Sequence, residues 1–103
     1  MKTIITRMWH GKTKIEDADV YLNYIESTGI KDYKSVPGNL SAEIWRLKEN
    51  NICHFWTVTK WNSLDSIIKF AGEKYEKARY YPDDGKYLLE VEEKVTHYET
   101  HIY

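Results

Sequence analysis

Apolar residues recur every three or four positions between residues 15 and 25, which places them on one face of a helix. Thr13 and Glu16 stand at the spacing of a capping box, in which two side chains satisfy the first free amides of a helix. Gly29 can take the left-handed conformation that ends a helix. The pattern therefore predicts a capped helix that ends before Gly29. Its apolar positions are Ile15, Ala18, Leu22 and Ile25.

A second amphipathic helix is predicted between residues 64 and 71, where the same spacing recurs. Asn62 or Ser63 is its expected N-cap, and Gly72 its expected end. Its apolar positions are Leu64, Ile67, Ile68 and Ala71.

Two shorter helical pieces are predicted after Gly72. Residues 73–81 favour a short helix that ends before Pro82, because proline disfavours helical geometry in the residue that precedes it. One further helical turn is expected at residues 87–89.

Four segments are rich in the residue types of β-strands. The first is expected to end where His10, Gly11 and Lys12 interrupt it. Asn50 and Asn51 separate the second segment from the third, and asparagine tolerates the positive φ of a tight turn, so these two segments predict a hairpin. The predicted strands are residues 4–9, 40–49, 52–61 and 95–102.

The order of elements is β-α-β-β-α-β, which is typical of an α+β ferredoxin-like fold with an antiparallel sheet. With 103 residues, the chain predicts a single domain over residues 1–103. An antiparallel sheet with one face in water alternates apolar and polar residues, yet Ile4–Ile5 and Phe55–Val58 place apolar residues on both faces. A second copy of the chain is the simplest cover for the other face, so a homodimer is predicted.

Composition excludes several kinds of partner. The 15 Lys and Arg residues are interspersed with 16 Asp and Glu residues, so no basic stripe is available for nucleic acid. The lone Cys53 excludes an intramolecular disulfide and favours a reducing compartment. No apolar run has the length of a signal peptide core or a membrane span. The predicted location is therefore the cytoplasm, without membrane contact.

Five short motifs are spread over most of the chain in a fixed order, and they resemble bacterial proteins of the antibiotic-biosynthesis-monooxygenase-like superfamily. The similarity is greatest to the small, uncharacterised members. It implies a dimeric α+β barrel, with a pocket between each sheet and its helices. The motifs are Pro37-Gly38-Asn39, Trp61-Asn62-Ser63, Phe70-Ala71-Gly72, Tyr81-Pro82-Asp83-Asp84 and Val95-x-His97-Tyr98-Glu99.

The resemblance also bears on cofactors, because the superfamily contains cofactor-independent oxygenases of aromatic polyketides and haem-degrading enzymes. The haem-degrading branch has an asparagine on its first strand, where this chain has Arg7. The position of that branch's helical tryptophan corresponds to about Phe70 in this chain. The position of its axial histidine corresponds to about Ala78 and Arg79. These three replacements argue against haem, and no cofactor is expected.

Five side chains on predicted neighbouring strands are candidates for binding an anionic aromatic molecule. The guanidinium of Arg7 could pair with the phenolate or carboxylate of such a molecule, while the indoles stack on the aromatic ring of that molecule. In a cofactor-free oxygenase, His54 or His97 would remove a proton from a phenol or enol, and the resulting anion would give an electron to O₂. The alternative is that Arg7 forms an ion pair and the tryptophans only pack. The five are Arg7, Trp9, His54, Trp56 and His97.

Further substrate contacts are expected from Phe70, Arg79 and Tyr81, the last two at the rim of a pocket. The adjacent Asp83 and Asp84 have the form of a paired acid–base site, but they are expected to be turn residues after Pro82, solvated and hydrogen-bonded to nearby amides.

The last predicted strand carries His97, Glu99 and His101 on one face. Residues two apart on a strand are about 7 Å apart and roughly parallel, whereas metal ligands converge on one point. No metal site is therefore predicted.

Two functional hypotheses follow. The first is a cofactor-independent oxygenase that acts on a small aromatic or polyketide-like substrate. The second is a non-catalytic dimeric module that binds a small molecule or a partner protein. A space between sheet and helices that the chain's own aromatic residues fill would favour the second.

Overall fold

The computed structural model describes residues 2–103 and contains one four-stranded antiparallel sheet. The strand order is β2-β3-β1-β4, in which every neighbouring pair is antiparallel. This topology confirms the predicted α+β ferredoxin-like fold. The strands are β1 (Lys2–Lys14), β2 (Asn39–Glu49), β3 (Ile52–Trp61) and β4 (Thr96–Ile102), and the helices are α1 (Ala18–Ile25), α2 (Lys31–Ser35), α3 (Leu64–Ala71) and α4 (Asp84–Tyr87).

The core lies between the helices and one face of the sheet, in two clusters. In the larger cluster, Tyr21 of α1 packs edge-on against Phe55 of β3, with ring centroids 5.1 Å apart. In the smaller one, Trp61 of β3 packs against Phe70 of α3. Burying an aromatic side chain of this size stabilises the fold by about 1.5–3 kcal/mol.

The first strand is longer than predicted, because Gly11 does not end it. Strand β1 pairs with β3 as far as Lys14, and Gly11 lies opposite Phe55. A Cβ atom at position 11 would lie only 2.4 Å from the ring of Trp9. The glycine therefore makes room for the indole within a continuous strand.

The predicted capping box does not form. Thr13 belongs to β1, and its hydroxyl donates a hydrogen bond to the carbonyl oxygen of Lys14 at 2.9 Å. A 3₁₀ turn, Ile15–Asp17, leads into α1 without a side-chain cap. The strand continues to Lys14 because the pairing with β3 already satisfies its backbone.

The predicted helix end at Gly29 is also wrong. A π-helical turn, Glu26–Ile30, connects α1 to α2, so the helical path continues to Ser35. Gly29 is buried, and a Cβ atom there would lie 3.6 Å from the ring of Tyr33. That distance is an ordinary van der Waals contact, and the φ of Gly29 lies outside the left-handed region, so neither space nor backbone conformation requires a glycine here.

The hairpin and the second long helix are confirmed. Asn50 has a φ of 56° in the turn between β2 and β3. The side chain of Ser63 accepts a hydrogen bond from the amide of Ser66 at 3.3 Å, which makes Ser63 the N-cap of α3. Gly72 ends α3 with a φ of 85°. At these places the local sequence and the tertiary contacts agree.

The helix predicted over residues 73–81 is absent, because long-range pairing takes its backbone groups. The amide of Ala78 donates to the carbonyl of Glu93, and the amide of Val95 donates to the carbonyl of Glu76, both at 2.9 Å. The turn expected at residues 87–89 lies slightly earlier, in α4. Leu88 instead forms a bridge with Thr13.

The face of the sheet opposite the helices carries large apolar side chains that are about half exposed. Trp45, Leu47 and Tyr98 are 48%, 49% and 47% exposed. No helix among residues 2–103 has the length and hydrophobicity needed to cross a membrane.

Candidate functional site

A cavity of about 30 Å³ lies between the sheet and the helices, on the side of α1 and α2. This volume holds about two water molecules. Aromatic side chains of the chain itself therefore occupy most of the space in which the resemblance implied a pocket. The charged and phenolic residues that line it are Arg7, Arg79, Asp84, Tyr21, Tyr33, Tyr80 and Tyr81.

Arg7 is the most unusual residue of this cavity, because its guanidinium is 3% exposed and forms no salt bridge with a carboxylate of residues 2–103. It donates to the carbonyl oxygens of Tyr75 at 2.6 Å and Lys77 at 3.3 Å. Burial lowers the pKa of Arg7, with a further contribution from Arg79. A buried charge is costly unless it is paired with an opposite charge. Arg7 has no such partner among the carboxylates of residues 2–103, so its charge is uncompensated.

Arg79 is a second cation in the cavity wall, but it has a carboxylate nearby. Its guanidinium lies over the ring of Phe70, 5.0 Å from the centroid, and 3.8 Å from Asp32. The hydroxyl of Tyr81 also donates to Asp32, at 2.6 Å. Asp32 therefore offsets the charge of Arg79 and holds the aromatic wall in place.

His97 of β4 lies beside Arg7, as the strand register requires. An Nη1–H of Arg7 points at Nε2 of His97 over 3.3 Å, and the ring of Tyr75 packs edge-on against the imidazole. Burial and then the charge of Arg7 lower the pKa of His97. His97 is therefore neutral near pH 7 and can accept a proton. It lines a groove of about 410 Å³ beside β4, while Arg7 lines the small cavity.

The structure divides the predicted five-residue cluster between the two faces of the sheet. Arg7 lies opposite Thr59, so residues of β3 with odd numbers share its face. His54 and Trp56 have even numbers and lie on the other face. They contact His10, not Arg7. The expectation that all five share one site is therefore wrong, because side chains alternate strictly along a strand.

The other predicted contacts lie on the helix side. Trp9 lines the cavity, and its indole N–H donates to the hydroxyl of Tyr80 at 3.2 Å. Phe70 packs in the smaller core cluster, beneath both arginines. Tyr81 and Arg79 line the cavity wall.

The sequence interpretation missed a buried hydrogen bond between Tyr21 and Asp84. The hydroxyl of Tyr21 donates to Asp84 at 2.8 Å, and the amide of Tyr81 donates to the same carboxylate at 2.6 Å. Asp84 is 6% exposed, so its expected solvation is wrong, while its expected hydrogen bond to a nearby amide is confirmed. A signal for Tyr21 was present, because it stands three residues after Ala18 and four before Ile25.

Comparison with known proteins supports the fold. A solved structure from Bacillus cereus, described as a "putative antibiotic biosynthesis monooxygenase", matches 100% of this chain and 97% of its own, with a TM-score of 0.63. The two proteins share one fold. Their sequence identity is 10%, so the likeness extends to the fold alone. No family model matches the sequence, and no curated protein does.

Proposed function

We propose that this protein binds a small anionic molecule beside Arg7. The observation that carries this proposal is the buried guanidinium without a carboxylate partner. A guanidinium has five N–H donors, and the two backbone carbonyls leave some of them free. A carboxylate or phenolate would compensate the charge and accept two parallel hydrogen bonds.

The small volume of the cavity limits the size of such a ligand. A volume of about 30 Å³ holds a group of two or three heavy atoms, such as a carboxylate, while the rest of a larger ligand requires the aromatic wall to move. Tyr80 and Tyr81 form part of this wall, so a larger ligand would have to break their hydrogen bonds to Trp9, Glu92 and Asp32. Haem is not part of the proposal, because a macrocycle exceeds this space and no histidine lines it.

The proposal includes a homodimer that pairs the uncovered faces of two sheets. A groove of about 380 Å³ crosses this face, between Met8, Trp45, Val58 and Tyr98. Large apolar patches on a protein surface mark interaction sites. A two-fold arrangement would cover the same residues on both copies.

The binding proposal is tested by titrating benzoate and its neutral analogue benzamide into the purified protein by calorimetry. Benzoate is expected to bind, and Arg7→Gln is expected to weaken it at least tenfold, since the charge-assisted contact is lost. Arg46→Gln is the matched control, because Arg46 lies on β2 and pairs with Asp19 away from the cavity. Equal affinity for benzamide, or unchanged binding by Arg7→Gln, would contradict the proposal.

A second candidate function, oxygenation without a cofactor, is favoured by the contact between His97 and Arg7. Nε2 of neutral His97 would part from Arg7 and take the proton of a phenol or enol, and the guanidinium of Arg7 would stabilise the anion. The anion would then give an electron to O₂ and combine with it. One oxygen atom ends in a product carbonyl and the other in water, so the substrate supplies every electron. His54 has no part in this scheme, because it lies on the other face.

Oxygen uptake in the presence of electron-rich phenols tests the second candidate. His97→Gln is expected to abolish the uptake, while His54→Gln leaves it unchanged. Because the pKa of His97 is lowered, activity should persist below the ordinary histidine pKa of about 6.5. Benzoate binding without oxygen uptake would reject the oxygenase and leave the binding proposal standing.

A further inference from the structure

Two histidines on the uncovered face of the sheet direct ring nitrogens at each other. Nε2 of His10, on β1, lies 3.0 Å from Nδ1 of His54, on β3. The ring planes differ by 24°. The ring centroids are 5.3 Å apart, and this distance exceeds the nitrogen–nitrogen distance by the radii of the two imidazole rings. The nitrogens therefore meet end-on. Trp56 packs against both rings.

A carboxylate determines the tautomer of His10. Nδ1 of His10 donates to Glu92, whose segment runs alongside β1. Two further hydrogen bonds hold this segment: the amide of Leu89 donates to the carbonyl of Lys12, and the hydroxyl of Tyr80 donates to the carbonyl of Glu92. With the proton of neutral His10 on Nδ1, its Nε2 presents a lone pair to His54.

We propose that His10 and His54 bind a divalent transition metal ion, such as Zn²⁺ or Cu²⁺, with Glu92 as the carboxylate that orients His10. Histidines that bind metals commonly donate the other ring N–H to a carboxylate, which is the arrangement of Glu92 and His10. His54 would bind through Nδ1 after its proton moves to Nε2. The remaining positions fall to water, because residues 2–103 place no group of three His, Cys, Asp or Glu side chains around one ion.

The observed distance is close to that of a bound metal. Zinc–nitrogen bonds of about 2.0–2.1 Å at a tetrahedral angle separate two ligand nitrogens by about 3.3 Å. Because the two nitrogens meet end-on, each ring would have to tilt by about 35° for both lone pairs to point at one ion, and this tilt would also supply the extra few tenths of an ångström. In the single chain, the side chains of His10 and Glu92 are 28% and 38% exposed, so an ion can reach them before two chains pair. Cys53 faces the core and is no ligand, and a pure imidazole site suits Zn²⁺ and Cu²⁺.

Calorimetric titration of the full chain with ZnCl₂, and electron paramagnetic resonance with CuCl₂, test this site. We expect one ion per chain, bound more tightly for Cu²⁺ than for Zn²⁺. His54→Ala should lower the affinity at least tenfold, and Glu92→Gln should lower it about 10–100-fold. His101→Ala is the matched control, because His101 also has a carboxylate nearby, Glu99 at 3.5 Å, without a second imidazole.

The proposal is overturned if neither ion binds or if folded His54→Ala keeps the wild-type metal affinity. It is also overturned if His101→Ala loses as much metal affinity as His54→Ala. Should His54→Ala fail to fold, the ¹⁵N resonances of His54 in the wild type provide the readout, and they must shift when Zn²⁺ is added. Arg7→Gln should bind Zn²⁺ normally, because Arg7 lies on the opposite face. The metal site and the anion site can therefore fail independently.

Discussion

At the scale of single residues, buried and half-buried tyrosines surround the cavity and keep their hydroxyl protons. Burial is the largest cause that raises the pKa of Tyr21, Tyr33, Tyr80 and Tyr81. For Tyr21, the neighbouring Asp84 raises the pKa further. These phenols are therefore structural hydrogen-bond donors near neutral pH, and the free energy of unfolding depends on their protonation.

Stability is predicted to fall as the pH rises above about 10. An unfolded chain releases a tyrosine proton at its ordinary pKa of about 10, while folded Tyr33 retains it, so the unfolded state becomes favoured at higher pH. Above about pH 10, Tyr33→Phe should reduce the fall in the free energy of unfolding with pH by about 1.4 kcal/mol per pH unit. Urea unfolding between about pH 8 and pH 11 measures it. Tyr103→Phe, at a side chain that is 98% exposed, is the control, and an unchanged slope in Tyr33→Phe would contradict the prediction.

At the scale of elements, three glycines that were each expected to end a helix or strand have different structural roles. Gly11 lies inside a strand beside Trp9, Gly29 lies in a π-helical turn, and Gly72 ends α3. Only Gly72 was assigned correctly from sequence. A glycine shows that an unusual conformation is possible, but the neighbouring contacts decide whether the chain adopts it.

Gly72→Ala is predicted to destabilise the protein by about 1–3 kcal/mol, because its φ of 85° and ψ of −177° lie in a region that is essentially restricted to glycine. No atom lies within 4 Å of the added Cβ, so the cost comes from the backbone. Gly85→Ala is the matched control: it also has open space, it lies within α4, and it should be neutral or stabilising. Urea unfolding compares the two, and equal effects would argue against backbone strain.

At the scale of the whole molecule, the sheet has one face covered by helices and one face with exposed apolar side chains. The half-exposed Trp45 and Leu47 lie on β2, and Tyr98 lies on β4. The pattern of apolar residues on both faces of the strands predicts a dimer. The structure shows which residues such a dimer would bury.

The molecular mass of the wild-type protein, measured by sedimentation, is predicted to be twice the 12.3 kDa mass of the chain. Trp45→Arg should produce monomers, because it places a charge in the proposed interface. Val91→Arg is the control, since Val91 is 58% exposed and lies outside the sheet. Analytical ultracentrifugation measures both variants. A monomeric wild type, or equal dissociation by the two substitutions, would contradict the dimer.

The candidate site was only partly predictable. Arg7 and His97 were selected correctly as neighbours, because both lie on strands that a ferredoxin-like order places side by side. His54 was assigned to the same group although it lies on the other face. Sequence spacing gives the parity within one strand, but the relative parity of two strands depends on their register, which is a tertiary property.

By itself, the sequence determined the element order, the hairpin at Asn50, and the N-cap and end of α3, because these depend on short-range periodicity and on the conformational limits of single residues. Only the tertiary structure decided that the first strand continues through Gly11, that residues 76–78 pair with residues 93–95, and that Arg7 is buried without a carboxylate. Each of these features depends on contacts between residues far apart in the chain, and no local pattern records them.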